Sequence, residues 1–385
     1  MRTITATDDL AAFCAEAARG PYVTIDTEFL RERTYWSKLC LVQMALPGDG
    51  EAVLVDPIVG GDALSLQPLH DLLADRSTVK VFHAARQDLE IFHHEGGVLP
   101  EPLFDTQVAA MVCGFGEQVG YETLVKRIAK GAVDKTSRFT DWSRRPLTDA
   151  QKAYALADVT HLRVIYEHLA AELERTGRTR WVEEEIAVLL DPATYLVEPA
   201  EAWKRVKTRT NSGKFLAIVR ELARFREAHA QERNIPRNRV FKDDALLELA
   251  STKPKSAADL NRSRMLQREA RKGPVAEGIL AAVAAGAECP REDWPEIDDR
   301  RDRLQVNPAL ADLLRVLLKA KAEGSGVAQK LIASAADLDA IAAGERDAPA
   351  LRGWRHEVFG EDALRLCAGE IALAAKGPRV EIVSL

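Results

Sequence analysis

Tyr22-Val23-Thr24-Ile25-Asp26-Thr27-Glu28-Phe29 is the stretch whose reading decides the fold. It is rich in β-branched residues and reads as a strand. Asp26 and Glu28 lie two apart, so both carboxylates project from one face. In an otherwise apolar strand that pairing is costly unless something cationic compensates it. Downstream, Leu39–Leu46 and Ala52–Asp56 read as two further strands, with Pro47-Gly48-Asp49-Gly50 as the hairpin turn between them. A helix over Leu66–Ala74, a buried strand Val79–His83, a helix over Arg86–His94 and a short strand Leu103–Asp105 continue the alternation of an α/β domain. From Thr106 onward the spacing is helical. It ends in a long helix from about Leu147 to Glu174, with Thr148 or Asp149 as N-cap and Thr176-Gly177 as the stop. That closes a first domain at residues 1–190.

Residues 191–209 read as a linker, and beyond them no convincing strand appears. Helical periodicity is broken by Asn234-Ile235-Pro236, Lys253-Pro254-Lys255, Gly273-Pro274 and the stretch Cys289–Pro295. Two helical units of similar length result, 210–290 and 298–375. For the tail, 376–385, the pattern leaves a short strand and a loose end both open.

The chain has 385 residues, 46% hydrophobic and 29% charged, with mean hydropathy −0.19, which excludes disordered and fibrous classes. The start, Met1–Asp9, lacks the features of a signal peptide, and no run of about 20 apolar residues occurs, so the expectation is a cytoplasmic protein with no membrane partner. Five scattered cysteines without a C-x-x-C pair indicate neither disulfides nor zinc. The formal charge is −6, yet between Trp203 and Leu280 there are 19 Lys+Arg against 9 Asp+Glu. A net +10 inside an acidic chain is the footprint of a polyanion partner. Arg237, Arg239 and Lys242 are candidate contacts there. The few aromatics fall at core spacing, which favours backbone contact over base stacking. No G-x-x-x-x-G-K-[ST] loop is present, so ATP hydrolysis is not expected.

Three more candidates join the strand acids. Asp88 follows the strand ending at His83, where α/β sheets place ligand-binding residues. Tyr154 and Asp158, four apart on the long helix, share one face. Oxygen-only ligands suit Mg²⁺ or Mn²⁺, and two such ions clamp the attacking and leaving oxygens of a phosphodiester. A phenol of ordinary pKa near 10 suits orienting a water more than deprotonating it. Each acid taken alone reads as a cap or surface carboxylate. His83, His93 and His94 are set aside as ligands, and Asp105 and Gln43 read as structural. Arg144, Arg145 and Lys152 are candidate grips for substrate phosphates.

Asp26-Thr27-Glu28-Phe29, Phe82–Leu89 and Tyr154-Ala155-Leu156-Ala157-Asp158 resemble, in order, the three motifs of the DEDD superfamily of 3′→5′ exonucleases. Tyr154 fits the tyrosine type, since the slot for the histidine type holds Ala153. Asp141-Trp142-Ser143-Arg144-Arg145-Pro146-Leu147 resembles the ribonuclease D branch, and the C-terminal half is similar to helical HRDC modules, the first unit more closely than the second. The resemblance implies a ribonuclease H-like mixed-sheet exonuclease domain followed by two all-α HRDC-type domains. It further implies that Asp26 bridges two divalent cations, Glu28 and Asp158 hold the nucleophile-side ion, Asp88 holds the leaving-group side and Tyr154 positions the water. The expected activity is hydrolysis of RNA 3′ ends to 5′-monophosphates by a monomer, on tRNA precursors and small structured RNAs. The competing readings are the same chemistry on DNA and a catalytically silent RNA-binding scaffold.

Overall fold

In a computed structural model of the chain, residues 1–137, 140–296 and 305–385 are described. The expected start of the second helical unit at residue 298 lies outside them. The N-terminal region opens with β1 (Arg2–Ile4), α1 (Thr7–Ala17), β2 (Tyr22–Leu30), β3 (Lys38–Ala45) and β4 (Ala52–Val55). It continues with α2 (Gln67–Ala74), β5 (Val79–Phe82), α3 (Arg86–Gly96), β6 (Leu103–Asp105) and α4 (Thr106–Val112), then α5 (Asp149–Thr176) and α6 (Thr179–Leu189). The six strands form one mixed sheet in the order β1-β4-β3-β2-β5-β6. β1 with β4, β2 with β5 and β5 with β6 run parallel, and β3 with β4 antiparallel. This is the α/β core that the alternating pattern implies, with the mixed sheet that the resemblance implies. The edge strand β1 was not foreseen; its three residues pair with Val53–Val55, a partner no local pattern reveals.

Two features fix α5 against the sheet. Thr148 and Gln151 form a reciprocal capping box at its start, and Gly177 at φ 67 ends it in the left-handed conformation. The Thr24 hydroxyl on β2 donates to the Val159 carbonyl on α5 at 2.9 Å, and Tyr22, Val81 and Leu162 pack beneath. The register of α5 on β2 is therefore set one residue from Asp158 and two residues from Asp26.

Packing divides the chain into two compact units, one of Met1–Glu28, Cys40–Asp191 and Asp299–Leu385, the other of Phe29–Leu39 and Pro192–Asp298. The first also contains α10 (Pro308–Ser325), α11 (Ala335–Ala342), α12 (Glu361–Ala368) and a terminal hairpin, β7 (Ile371–Lys376) with β8 (Arg379–Ser384); between them in sequence the second unit contributes α7 (Gly213–Glu232), α8 (Asp243–Thr252) and α9 (Gly273–Glu288). The last residues thus form a paired strand, one of the two alternatives left open for the tail, and the hairpin corrects the reading that the C-terminal half holds no strand. Within the first unit, Trp181 of α6 stacks on the fully buried Trp354, with ring centroids 4.9 Å apart. Glu185 accepts from Trp354 Nε1 at 2.9 Å and pairs with Arg355 at 2.6 Å. The last helical segment is therefore docked on the exonuclease region through α6.

In the second unit α7 packs between α8 and α9 around a core that includes Leu222, Phe241, Leu246 and Ile279. The segment Phe29–Leu39, which leaves the end of β2, belongs to this unit, with Tyr35 packed on its core.

Candidate active site

One ligand oxygen from each of Asp26, Glu28 and Asp158 falls within 4.8 Å of the others. β2 supplies two of them because alternation turns Asp26 and Glu28 to the same side, while Ile25 and Thr27 are buried. Asp158 is delivered by α5 through the Thr24–Val159 bond. Among the described residues no lysine or arginine pairs with Asp26, Glu28 or Asp88. Burial pushes Asp26 up to about 7, opposed by a bond from the Thr27 backbone. Burial, followed by the charges of Asp26, Asp158 and Asp88, pushes Glu28 up to about 10. A set of crowded carboxylates, offering oxygen only, fits a hard divalent cation.

Asp88 sits in the first turn of α3 and stands slightly apart from this trio. Its carboxylate accepts a bond from the Thr27 hydroxyl, and burial together with the Asp26 charge raises its pKa well above the carboxylate range. Asp105 prepares that helix: its carboxylate accepts from Ala84 N at 3.0 Å, Ala85 N at 2.9 Å and Gln107 N at 2.8 Å. These bonds stabilise the turn in which Ala84 takes φ 57 and from which α3 departs. His83 lies just past β5 with Nδ1 3.0 Å from the Thr106 hydroxyl, and burial lowers its pKa.

Tyr154 is hydrogen-bonded to Asp158, and burial followed by the charges of Asp158, Glu28 and Asp26 raises its pKa. The phenol therefore stays protonated and acts as a donor. Trp142 packs beside its ring at 6.1 Å between centroids. Tyr121 escaped the sequence reading. Its hydroxyl donates to the backbone carbonyls of Asp158 and of Ala157, the latter at 3.2 Å, so it braces the turn of α5 that carries Asp158. A lone tyrosine 37 residues away in sequence gave no signal of that role.

The basic candidates separate. All five donors of Arg145 are committed: Nε and one Nη2 hydrogen to the two oxygens of Asp56 at 2.6 and 2.7 Å, the other Nη2 hydrogen to Cys40 O at 2.7 Å, and Nη1 to Trp142 O and Arg144 O. No donor is left for a phosphate, so Arg145 is a staple between this loop and the sheet, which corrects the expectation of a substrate contact. Arg144 is exposed, 3.3 Å from Asp141, and Lys152 is half-buried on α5 two residues before Tyr154. In the second unit Arg239 and Lys242 are exposed, and Arg237 lies 3.8 Å from Glu227. Arg271, one of the basic residues counted there, spends its guanidinium on the carbonyls of Leu266, Ser263 and Asn261.

The family model for 3′-5′ exonucleases matches residues 1–174, the region that holds the acids, and the HRDC domain model matches residues 215–283. Ribonuclease D of Jannaschia sp. (strain CCS1) is 66% identical over 385 residues, covering 100% of this chain and 99% of its own. Ribonuclease D of Granulibacter bethesdensis is 50% identical over 383 residues, covering 99% and 96%. The crystal structure of Escherichia coli RNase D, described as an exoribonuclease involved in structured RNA processing, aligns with TM-score 0.83 at 29% identity over 96% of this chain and 98% of its own. With the mixed sheet, the acid cluster on β2 and α5 and full-length identity of this order, the chain belongs to the ribonuclease D family of 3′→5′ exoribonucleases.

Proposed function

We propose that the chain hydrolyses RNA from the 3′ end to 5′-monophosphates, with Asp26, Glu28, Asp88 and Asp158 holding two divalent cations, Mg²⁺ or Mn²⁺. The carrying observation is the convergence of Asp26, Glu28 and Asp158 within 4.8 Å, from a strand and from a helix 130 residues further along the chain. When bound, the cations supply charge neutralisation for the attacking and leaving oxygens of an in-line displacement. In this reading Asp26 would serve both cations, Glu28 and Asp158 would hold one, and Asp88, which accepts from the Thr27 hydroxyl, would hold the other. Tyr154 keeps its proton, donates a hydrogen bond to Asp158, and orients the attacking water by accepting a bond from it at the phenol oxygen. Trp142 and Tyr121 fix the phenol and the Asp158 turn. Arg144 and Lys152 on the near loop and helix, with Arg237, Arg239 and Lys242 of the basic unit, engage phosphates.

The substrates we infer are tRNA precursors and other small structured RNAs, met in the cytoplasm by a monomer that needs no ATP. Support comes from the net +10 of the 203–280 segment and the full-length likeness to ribonuclease D. The second helical segment is read as an HRDC-type module docked on α6. The test is a time course on a 3′-extended tRNA: the wild type trims it with Mg²⁺ or Mn²⁺, and Asp26→Asn binds it but does not. Full trimming in excess chelator refutes the mechanism. Matched RNA and DNA oligomers decide against the DNA reading, because a contact to the 2′-hydroxyl is the available basis for choice.

A further inference from the structure

The segment Phe29–Leu39 begins one residue after Glu28 and carries Arg31, Arg33 and Lys38 against the single acid Glu32. Its two ends are the last residues of β2 and the first of β3, and between them it packs with the basic unit. Asn234 Oδ1 accepts both the Tyr35 and the Trp36 backbone N–H at 3.0 Å. The Tyr35 hydroxyl donates to Glu227 and accepts from Gln231 Nε2 at 3.2 Å. Glu227 is fully buried, and the cation near it is Arg237 at 3.8 Å, so the Tyr35 hydroxyl is a principal compensation for a desolvated carboxylate. A charge-assisted bond to a buried acceptor is a firm anchor. It sets the segment against the turn that carries Arg233 beside Asn234, followed by Arg237 and Arg239. Arg33, Arg233 and Arg239 are exposed.

We infer that Phe29–Leu39 and the Arg233–Arg239 turn form one phosphate-binding surface that grips the RNA strand behind its 3′ end, with Tyr35 and Asn234 as its positioning residues. The surface rests on the RNA-directed reading above. It takes a polynucleotide backbone, since its exposed donors Arg33, Arg233 and Arg239 are guanidinium groups, and so it discriminates by length and charge. Its chain connection to Glu28 means that the cations gripping the upstream strand and the acids at the scissile bond share one continuous stretch of polypeptide.

The test is equilibrium binding of the full-length chain, in EDTA so that turnover does not enter, to a labelled RNA hairpin with a 3′ tail of about ten nucleotides, within the usual footprint of such surfaces. Arg33→Ala is expected to weaken binding about three- to tenfold and to lower the salt slope by about 0.7, the loss of one single-strand phosphate contact. Arg76→Ala, which removes an exposed guanidinium of the other unit, is expected to change neither. Asn234→Gly deletes the acceptor while tolerating the left-handed backbone at φ 47, and it should give the same weakening, with no further loss when combined with Arg33→Ala. Unchanged binding and slope in Arg33→Ala, or full additivity of the pair, would overturn the surface. A failure of the hydrolysis reading shows separately, as trimming by Asp26→Asn, in an assay where this measurement plays no part.

Discussion

Divalent-cation binding should strengthen steeply with pH, and the size of the effect follows from the burial of the acids and, for Glu28, from their crowding as well. In the metal-free protein Glu28 is pushed up to about 10 and Asp26 to about 7, so near neutral pH the site holds the Glu28 proton and roughly half of another on Asp26. A carboxylate must lose its proton to ligate, and the cation therefore competes with protons. The sign is fixed by linkage: each proton displaced adds about one decade of affinity per pH unit. Between pH 6 and 8 Glu28 contributes about two decades and Asp26 about one, a gain of about three decades or about 4 kcal/mol. Isothermal titration with Mn²⁺ in buffers of different ionisation enthalpy measures both the affinity and the protons released. One to two protons released near pH 7 is the expected result. Affinity that does not change with pH, with no proton release, would refute the electrostatic account of the cluster.

The same burial and crowding make the metal-free fold less stable as pH rises. Folded Glu28 holds its proton more tightly than the unfolded chain does, so its contribution is fully present below about 4.5 and declines toward about 10. Glu28→Gln should accordingly raise metal-free stability at pH 7 by at most about 3 kcal/mol in denaturant melts while turnover disappears; an unchanged or lower stability counts against it. Tyr154→Phe should lower kcat about a hundredfold with little change in KM, and leave the pH–rate profile between 6 and 9 in place because the phenol does not titrate there; a displaced profile would make Tyr154 a base. Trp354→Ala should cost about 3–5 kcal/mol, since it empties a fully buried site against Trp181; a change below 1 kcal/mol would show that the docking through α6 is weak.

The acids were legible because their positions follow from local rules. Alternation on β2 puts Asp26 and Glu28 on one face, and a helical turn relates Tyr154 to Asp158. What escaped was decided by partners distant in sequence. Arg145 looks like a phosphate grip in a basic loop until Asp56, 89 residues away, takes two of its donors. The residues between the strand ending at Phe29 and the one starting at Leu39 carry no local signal of their partners, and only Asn234 and Glu227 reveal their allegiance to the basic unit. Likewise the final ten residues look undecided alone because a hairpin strand is defined by its pairing with Ile371–Lys376. Cutting the chain at residue 205, which the sequence invites as a test of the helical half, also strips Trp181 of its cover and Tyr35 of its anchor. Point changes in those contacts separate binding from folding more cleanly.

The most direct test of the central claim is anomalous scattering from crystals soaked in Mn²⁺. The account predicts two peaks, one touching Asp26, Glu28 and Asp158 and the other lying between Asp26 and Asp88, both lost in Asp26→Asn. Manganese bound elsewhere, with those carboxylates left bare, would contradict it.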